Sequence, residues 1–129
     1  MARAKLSRQK AHRMSLSRNL LTSLVLEKRI ITTEAKAKYI LPEAEKFLKA
    51  AIGATDATRR LLAAQLTNNT AVKELFNKVV PELSAKTAGG LVKIIKVEAR
   101  FGDQAKQAAV IINRQVKPKT DKQTDKAKK

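Results

Sequence analysis

The chain has 129 residues and carries 28 Lys and Arg against 11 Asp and Glu, a formal net charge of +17. That length allows one domain with a small core. No Cys, a single His, no Trp and only four Phe and Tyr argue against disulfides, thiolate or multi-His metal sites and a deep aromatic-lined substrate pocket.

No apolar run reaches the roughly 20 residues that span a bilayer, and no signal-peptide pattern opens the chain. A soluble, intracellular protein with a polyanionic partner is therefore expected, without metal or cofactor.

Residues 1–7 show no periodicity and read as an extended basic arm. From about Arg8 to Arg29 the spacing is helical, with Leu16, Leu20 and Leu24 in one stripe beside Leu21 and Val25. Ile30–Thr33 is β-branched and predicts a short strand. Thr33 then suits the cap of a helix over Glu34–Ile52, with Glu34 against its positive end, Pro42 as a kink or break, and Gly53 as its stop. Leu61, Leu62 and Leu66 predict a helix over 56–67 capped by Asp56 or Thr58. A shorter one with Val72, Leu75, Phe76 and Val79 is expected to start at Thr70 and close at Pro81.

After Gly89-Gly90 the pattern changes. Residues 91–98 and 107–114 are rich in β-branched side chains, and Gly102-Asp103 supplies turn chemistry between them, which predicts an antiparallel hairpin. Ile30–Thr33 can add a third strand, with the helices on one face. The expected architecture is a two-layer α+β domain over 1–116. Residues 117–129 hold six Lys, two Asp and no large apolar side chain, so a disordered basic tail is expected.

Residues 1–26 contain six cations and no acid: Arg3, Lys5, Arg8, Lys10, Arg13 and Arg18. An unbalanced stretch of this kind repels itself unless an anion is present. Arginine forks grip phosphate oxygens in pairs, and lysine offers a mobile point charge. Lys36 and Lys38 can extend this surface. His12 has no ligand set for a metal and is open to contact with RNA or to a plain place on the helix surface. Lys86 and Lys93 flank the two glycines, which lack the rest of a phosphate-loop or dinucleotide motif. Arg100 and Asp103 suit a turn ion pair, and the remaining carboxylates sit among lysines at ordinary helical spacing. No catalytic constellation can be assembled, so an enzyme is not expected.

The stretch Lys5–Leu24, followed by Ile31-Thr32-Thr33 and Lys36-Ala37-Lys38, resembles the start of the bacterial large-subunit ribosomal protein family numbered seventeen. The resemblance continues through Arg59-Arg60, Val72–Phe76, Gly89-Gly90 and Arg100–Asp103. Within it, His12-Arg13, Arg18-Asn19, Ser23-Leu24 and Thr32-Thr33 form a specific series. Where the family often has Tyr-Thr-Arg-Ile after the glycines, this chain has Leu91-Val92-Lys93-Ile94. The resemblance implies helices on a small mixed three-stranded sheet and a structural role in the large subunit. It further implies binding of ribosomal RNA near the exit of the peptide tunnel, with neighbouring ribosomal proteins that include the one numbered thirty-two. On this basis Asn19 joins Arg3, Lys5, Arg8, Lys10, His12, Arg13, Arg18, Lys36, Lys38, Lys86 and Lys93 as candidate RNA contacts, and the ribosome in the cytoplasm is the expected location. The alternative is a nucleoid-type DNA-binding protein. The leucines in the middle of the first helix, where a recognition helix needs polar residues, argue against it.

Overall fold

The computed structural model describes residues 4–83 and 90–113. Arg3, Lys86, Gly89, the expected domain boundary at 116 and the lysine tail lie outside the described residues.

Helix α1 (Lys10–Glu27) buries Leu21, Leu24 and Val25, while Leu16 and Leu20 of the expected stripe are only half-buried. It stops where Lys28 adopts a left-handed φ of 65° and donates its N–H to the Leu24 carbonyl at 2.7 Å. That turn delivers the chain into strand β1 (Arg29–Thr33). Helix α2 (Glu34–Ile52) has the expected bounds and runs through Pro42 without a break. Pro42 lies on the exposed face, so water can take up the carbonyl freed one turn earlier. Thr33 occupies the cap position, but its hydroxyl makes no cap bond. Instead the Glu34 N–H donates to the Lys106 carbonyl at 3.0 Å, which ties the helix start to the sheet.

Helix α3 (Asp56–Gln65) is capped by Thr55 and not by Asp56 or Thr58; the Thr55 hydroxyl accepts the Thr58 N–H. Leu62 and Leu66 are buried, and Leu61 is 68% exposed. Asn68 caps α4 (Asn69–Glu74) through its side-chain oxygen, 2.9 Å from the Thr70 nitrogen, so the cap is two residues earlier than expected. Nor does Pro81 close this segment. A π-helical stretch (Leu75–Val79) leads into α5 (Val80–Leu83), which contains Pro81. The buried residues Ala71, Leu75, Val79 and Leu83 recur every fourth position. On an ideal α-helix three such steps drift about 120° around the axis. The wider π turn absorbs part of that drift and keeps all four on the core side.

Strands β2 (Val92–Val97) and β3 (Gln107–Ile112) form the expected hairpin. The sheet order is β1-β3-β2, with Ile30 opposite Val110 and Val110 opposite Ile94. Both pairings are antiparallel, so the sheet is not mixed: β3 returns between its two neighbours and runs against each. One face gives Ile30, Val92, Val110 and Ile112 to a core shared with Leu24, Ile40, Phe47, Leu48 and Leu75. On the opposite face Ile31 and Ile95 are 56% and 43% exposed over a buried Ala109, so no helix covers it among the described residues. The architecture is a two-layer α+β fold with all the described helices on one side. Gly90 has a φ of +88° with open space where a Cβ would stand, so the turn conformation and not a close neighbour favours glycine there.

Leu48 is 1% exposed at the centre of this core. Leu48→Ala is expected to cost about 2–5 kcal/mol of folding free energy, read as a lower urea midpoint at unchanged slope.

Candidate nucleic-acid interface

The basic arm is not extended where it is described. Leu6 and Ser7 both have left-handed φ values of 54° and 53°, and the Arg8 N–H closes a turn onto the Lys5 carbonyl at 3.1 Å. Two consecutive non-glycine residues in that region cost of order 1 kcal/mol each. The turn is strapped to α1 from behind. Arg13 Nη1 donates to the Arg8 carbonyl at 2.6 Å, and Arg8 Nη1 lies 2.8 Å from His12 Nε2. Because guanidinium can only donate, Nε2 is the acceptor and the imidazole proton sits on Nδ1.

Charge at this end breaks the usual helix rules. The first turn of α1 holds no acid and its cap residue Gln9 makes no side-chain cap bond. Lys10 and Arg13 instead add positive charge to the positive end of the helix dipole, an arrangement that favours a bound anion. Lys5, Lys10 and Arg13 line a furrow of about 320 Å3 together with Met14, Tyr39 and the carboxylate-bearing Glu43. Its α2 wall is Tyr39 and Glu43, part of a helical stripe in which Lys36, Tyr39, Glu43, Lys46 and Ala50 recur at intervals of three and four. Arg18 stands about 7.5 Å further along the α1 axis than Arg13 at 1.5 Å per residue and lines the neighbouring cleft.

The structure therefore brings Lys5, Lys10 and Arg13 to one furrow, with Arg18 at the adjoining cleft and Lys36 one turn before Tyr39 on α2. It separates the others. His12 and Asn19, seven residues apart, share the exposed side of α1 that faces away from α2. Lys38 is engaged by Glu34 at 3.0 Å in an i,i+4 ion pair. The Lys38 hydrogen bond, with the charges of Lys96 and Lys106 behind it, holds the Glu34 carboxyl below its ordinary value. Lys93 is exposed on the outer face of the sheet, in the same row as Ile111 and Arg29. Lys46, absent from the sequence-derived candidates, lines the neighbouring cleft, and its three-and-four spacing from Tyr39 and Glu43 already places it on their stripe. Arg59 lies over the Phe76 ring, 5.1 Å from its centre.

The loop 98–106 forms a second, internally hydrogen-bonded corner. Arg100 donates to both carboxylate oxygens of Asp103, and Asp103 Oδ1 also accepts the Ala105 N–H at 3.1 Å. Gly102 takes a φ of 107°, as its place in the turn requires. Phe101 between them is fully exposed.

Among the described residues, no group of His, Cys, Asp and Glu is placed to hold a metal, and no helix is long and apolar enough to cross a membrane. Fold and charge together define a small basic α+β protein with one cationic furrow at its N-terminal end. The family model described as ribosomal protein L17 matches residues 16–112. Large ribosomal subunit protein bL17 of Chlorobaculum parvum is 42% identical over 106 residues, covering 82% of this chain and 68% of its own. That of Akkermansia muciniphila is 41% identical over 109 residues, covering 84% and 79%. For that of Chlorobium phaeobacteroides the figures are 39% over 106 residues, with 82% of this chain and 63% of its own. The chain belongs to the ribosomal protein L17 family. Its relatives are ribosomal proteins and not enzymes.

The Arg100 hydrogen bond and the Ala105 N–H lower the Asp103 carboxyl from 3.8 to about 2. The folded state thus favours the carboxylate. Whatever the clamp adds to stability is present above pH ~4 and disappears as the pH falls through about 2. A carboxyl-carbon NMR titration is expected to place Asp103 at about 2, and Arg100→Gln to return it toward the ordinary carboxylate range.

Proposed function

We propose that this chain is a structural constituent of the large ribosomal subunit that binds large-subunit ribosomal RNA through its N-terminal furrow. The observation that carries this reading is the convergence of Lys5, Lys10 and Arg13 on one furrow at a helix end without acid or cap. The relatives' printed names place those proteins in the large subunit, and this chain matches them along most of its length. The protein works in the ribosome, in the cytoplasm. We further propose that its place there is near the exit of the peptide tunnel, beside neighbouring proteins that include the one numbered thirty-two.

The chemistry is neutralisation and fit. Phosphates entering the furrow meet cations whose mutual repulsion they relieve, and arginine forks fix their orientation. The strapped turn at Lys5–Arg8 presets part of the arm, so less chain entropy is lost on binding than for a free arm. The leucines of α1 anchor this charged end to the core, so the RNA surface moves with the folded body.

With about six phosphates neutralised, log affinity for large-subunit RNA falls against log salt with a slope of about −4 to −5. Arg13→Gln is expected to reduce the magnitude of that slope by about one. Filter binding across a salt series checks both, with duplex DNA as competitor. A flat slope contradicts the neutralisation mechanism, and equal competition by DNA contradicts the reading and favours a nucleoid-type protein.

A further inference from the structure

Beyond the phosphate furrow, the space between α1, α2 and α3 opens into a second cleft of about 510 Å3. That size is within the ~300–1,000 Å3 of ordinary small-ligand sites. Its floor is apolar: Leu21, Phe47 and Leu62 are each at most 5% exposed. Tyr39 and Phe47 both line it, two of the four aromatic residues in the chain. Arg18 and Lys46 stand exposed at its rim. Ser17 also lines it; that side chain is 92% buried, since 8% is exposed, and its Oγ has no hydrogen-bond partner. A buried hydroxyl left without a partner is a cost that a polar occupant can remove by drawing it round about χ1.

The cleft is continuous with the furrow, because Met14, Tyr39 and Glu43 line both. A strand held by its phosphates at Lys10 and Arg13 passes its next nucleotides over the cleft mouth. Arg13 lines the furrow and Arg18 the cleft, about 7.5 Å further along the α1 axis, so cations stand on both sides of the mouth.

We propose that this cleft receives one unpaired nucleobase of RNA, turned out of its strand, while Arg13, Arg18 and Lys46 hold the flanking phosphates. The inference rests on the RNA-binding reading above and deepens it. An RNA base presents two apolar faces and a polar edge, which is the chemistry of an aromatic and aliphatic slot with a hydroxyl in its wall. The rim cations match the phosphates that must follow the base. A peptide segment from a neighbouring protein needs no such cationic rim.

The test uses the full chain and protein-free large-subunit ribosomal RNA. Hydroxyl-radical footprinting reports the backbone held by the furrow, and dimethyl sulfate probing reports base edges. The wild-type chain is expected to protect one unpaired base inside its backbone footprint. Ser17→Leu fills the cleft from within, and Ala50→Leu narrows its mouth from an exposed position. Each is expected to abolish that single-base protection and weaken binding about tenfold, with the backbone footprint retained and the melting temperature not lowered. If Ser17→Leu lowers the melting temperature, Ala50→Leu alone decides. Unchanged affinity and protection in the folded variants would overturn the proposal and leave the cleft as a packing gap. A wild-type backbone footprint without a protected base, with the cleft closed only when a neighbouring ribosomal protein is added, would overturn it in favour of a peptide occupant. Loss of the backbone footprint itself in the wild type would instead refute the RNA-binding reading.

Discussion

Burial of one stripe of α2 governs the rest of this molecule. Ala37, Ile40, Ala44, Phe47, Leu48 and Ala51 recur at helical spacing and are all buried. This stripe packs on the sheet, and α2 also meets α1, α3 and α5. Three alanines in the stripe let the neighbouring backbones come close, so a chain with few aromatics still closes a continuous core. The opposite consequence is functional. With one side of α2 committed to the core, the adjoining stripe from Lys36 to Ala50 is turned toward α1. The cationic furrow and the apolar cleft both lie along that line.

The charged end of α1 is where local preferences are violated. It has no side-chain cap and no acid in its first turn, its cations lie at the positive pole of the dipole, and two non-glycine residues before it are in left-handed conformations. Each choice costs stability in the isolated protein. Together they are accounted for if a polyanion is the missing partner, because a phosphate removes the repulsion and accepts from the free N–H groups. The far end of the molecule shows the contrasting case. At Arg100–Asp103 the charges are paired within the chain, so that corner needs no outside anion to balance its arginine.

Much of the fold was legible because period and punctuation agreed. The bounds of α2 follow from the β-branched run before it and the glycine after it, and the hairpin follows from two β-branched runs around Gly102. Neither Pro42 nor Pro81 ends its helical segment. Pro42 sits on an exposed face, and Pro81 follows a π turn, two settings in which the lost hydrogen bond is tolerated and which the residue itself does not announce. The turn at Leu6-Ser7 had no signal, since neither residue type favours left-handed φ. Among the binding residues, charge alone could not tell one side of α1 from the other. The 100° helical step already separates His12 and Asn19 from Lys10 and Arg13, and the i,i+4 spacing already pairs Glu34 with Lys38. What no local pattern encodes is the approach of α1 to α2 that makes a furrow from residues 25 to 38 positions apart.

The central claim is that the cations of the furrow and its adjoining cleft hold this chain in the particle. The direct measurement is sedimentation of large subunits assembled with a Lys5→Gln, Lys10→Gln, Arg13→Gln, Arg18→Gln chain, followed through increasing salt. None of these four side chains belongs to the buried core, so the fold should survive. The substituted chain is expected to leave the subunit at salt concentrations the wild type withstands and to appear at the top of the gradient. Retention equal to the wild type across the whole salt range would show that the furrow does not bind the polyanion.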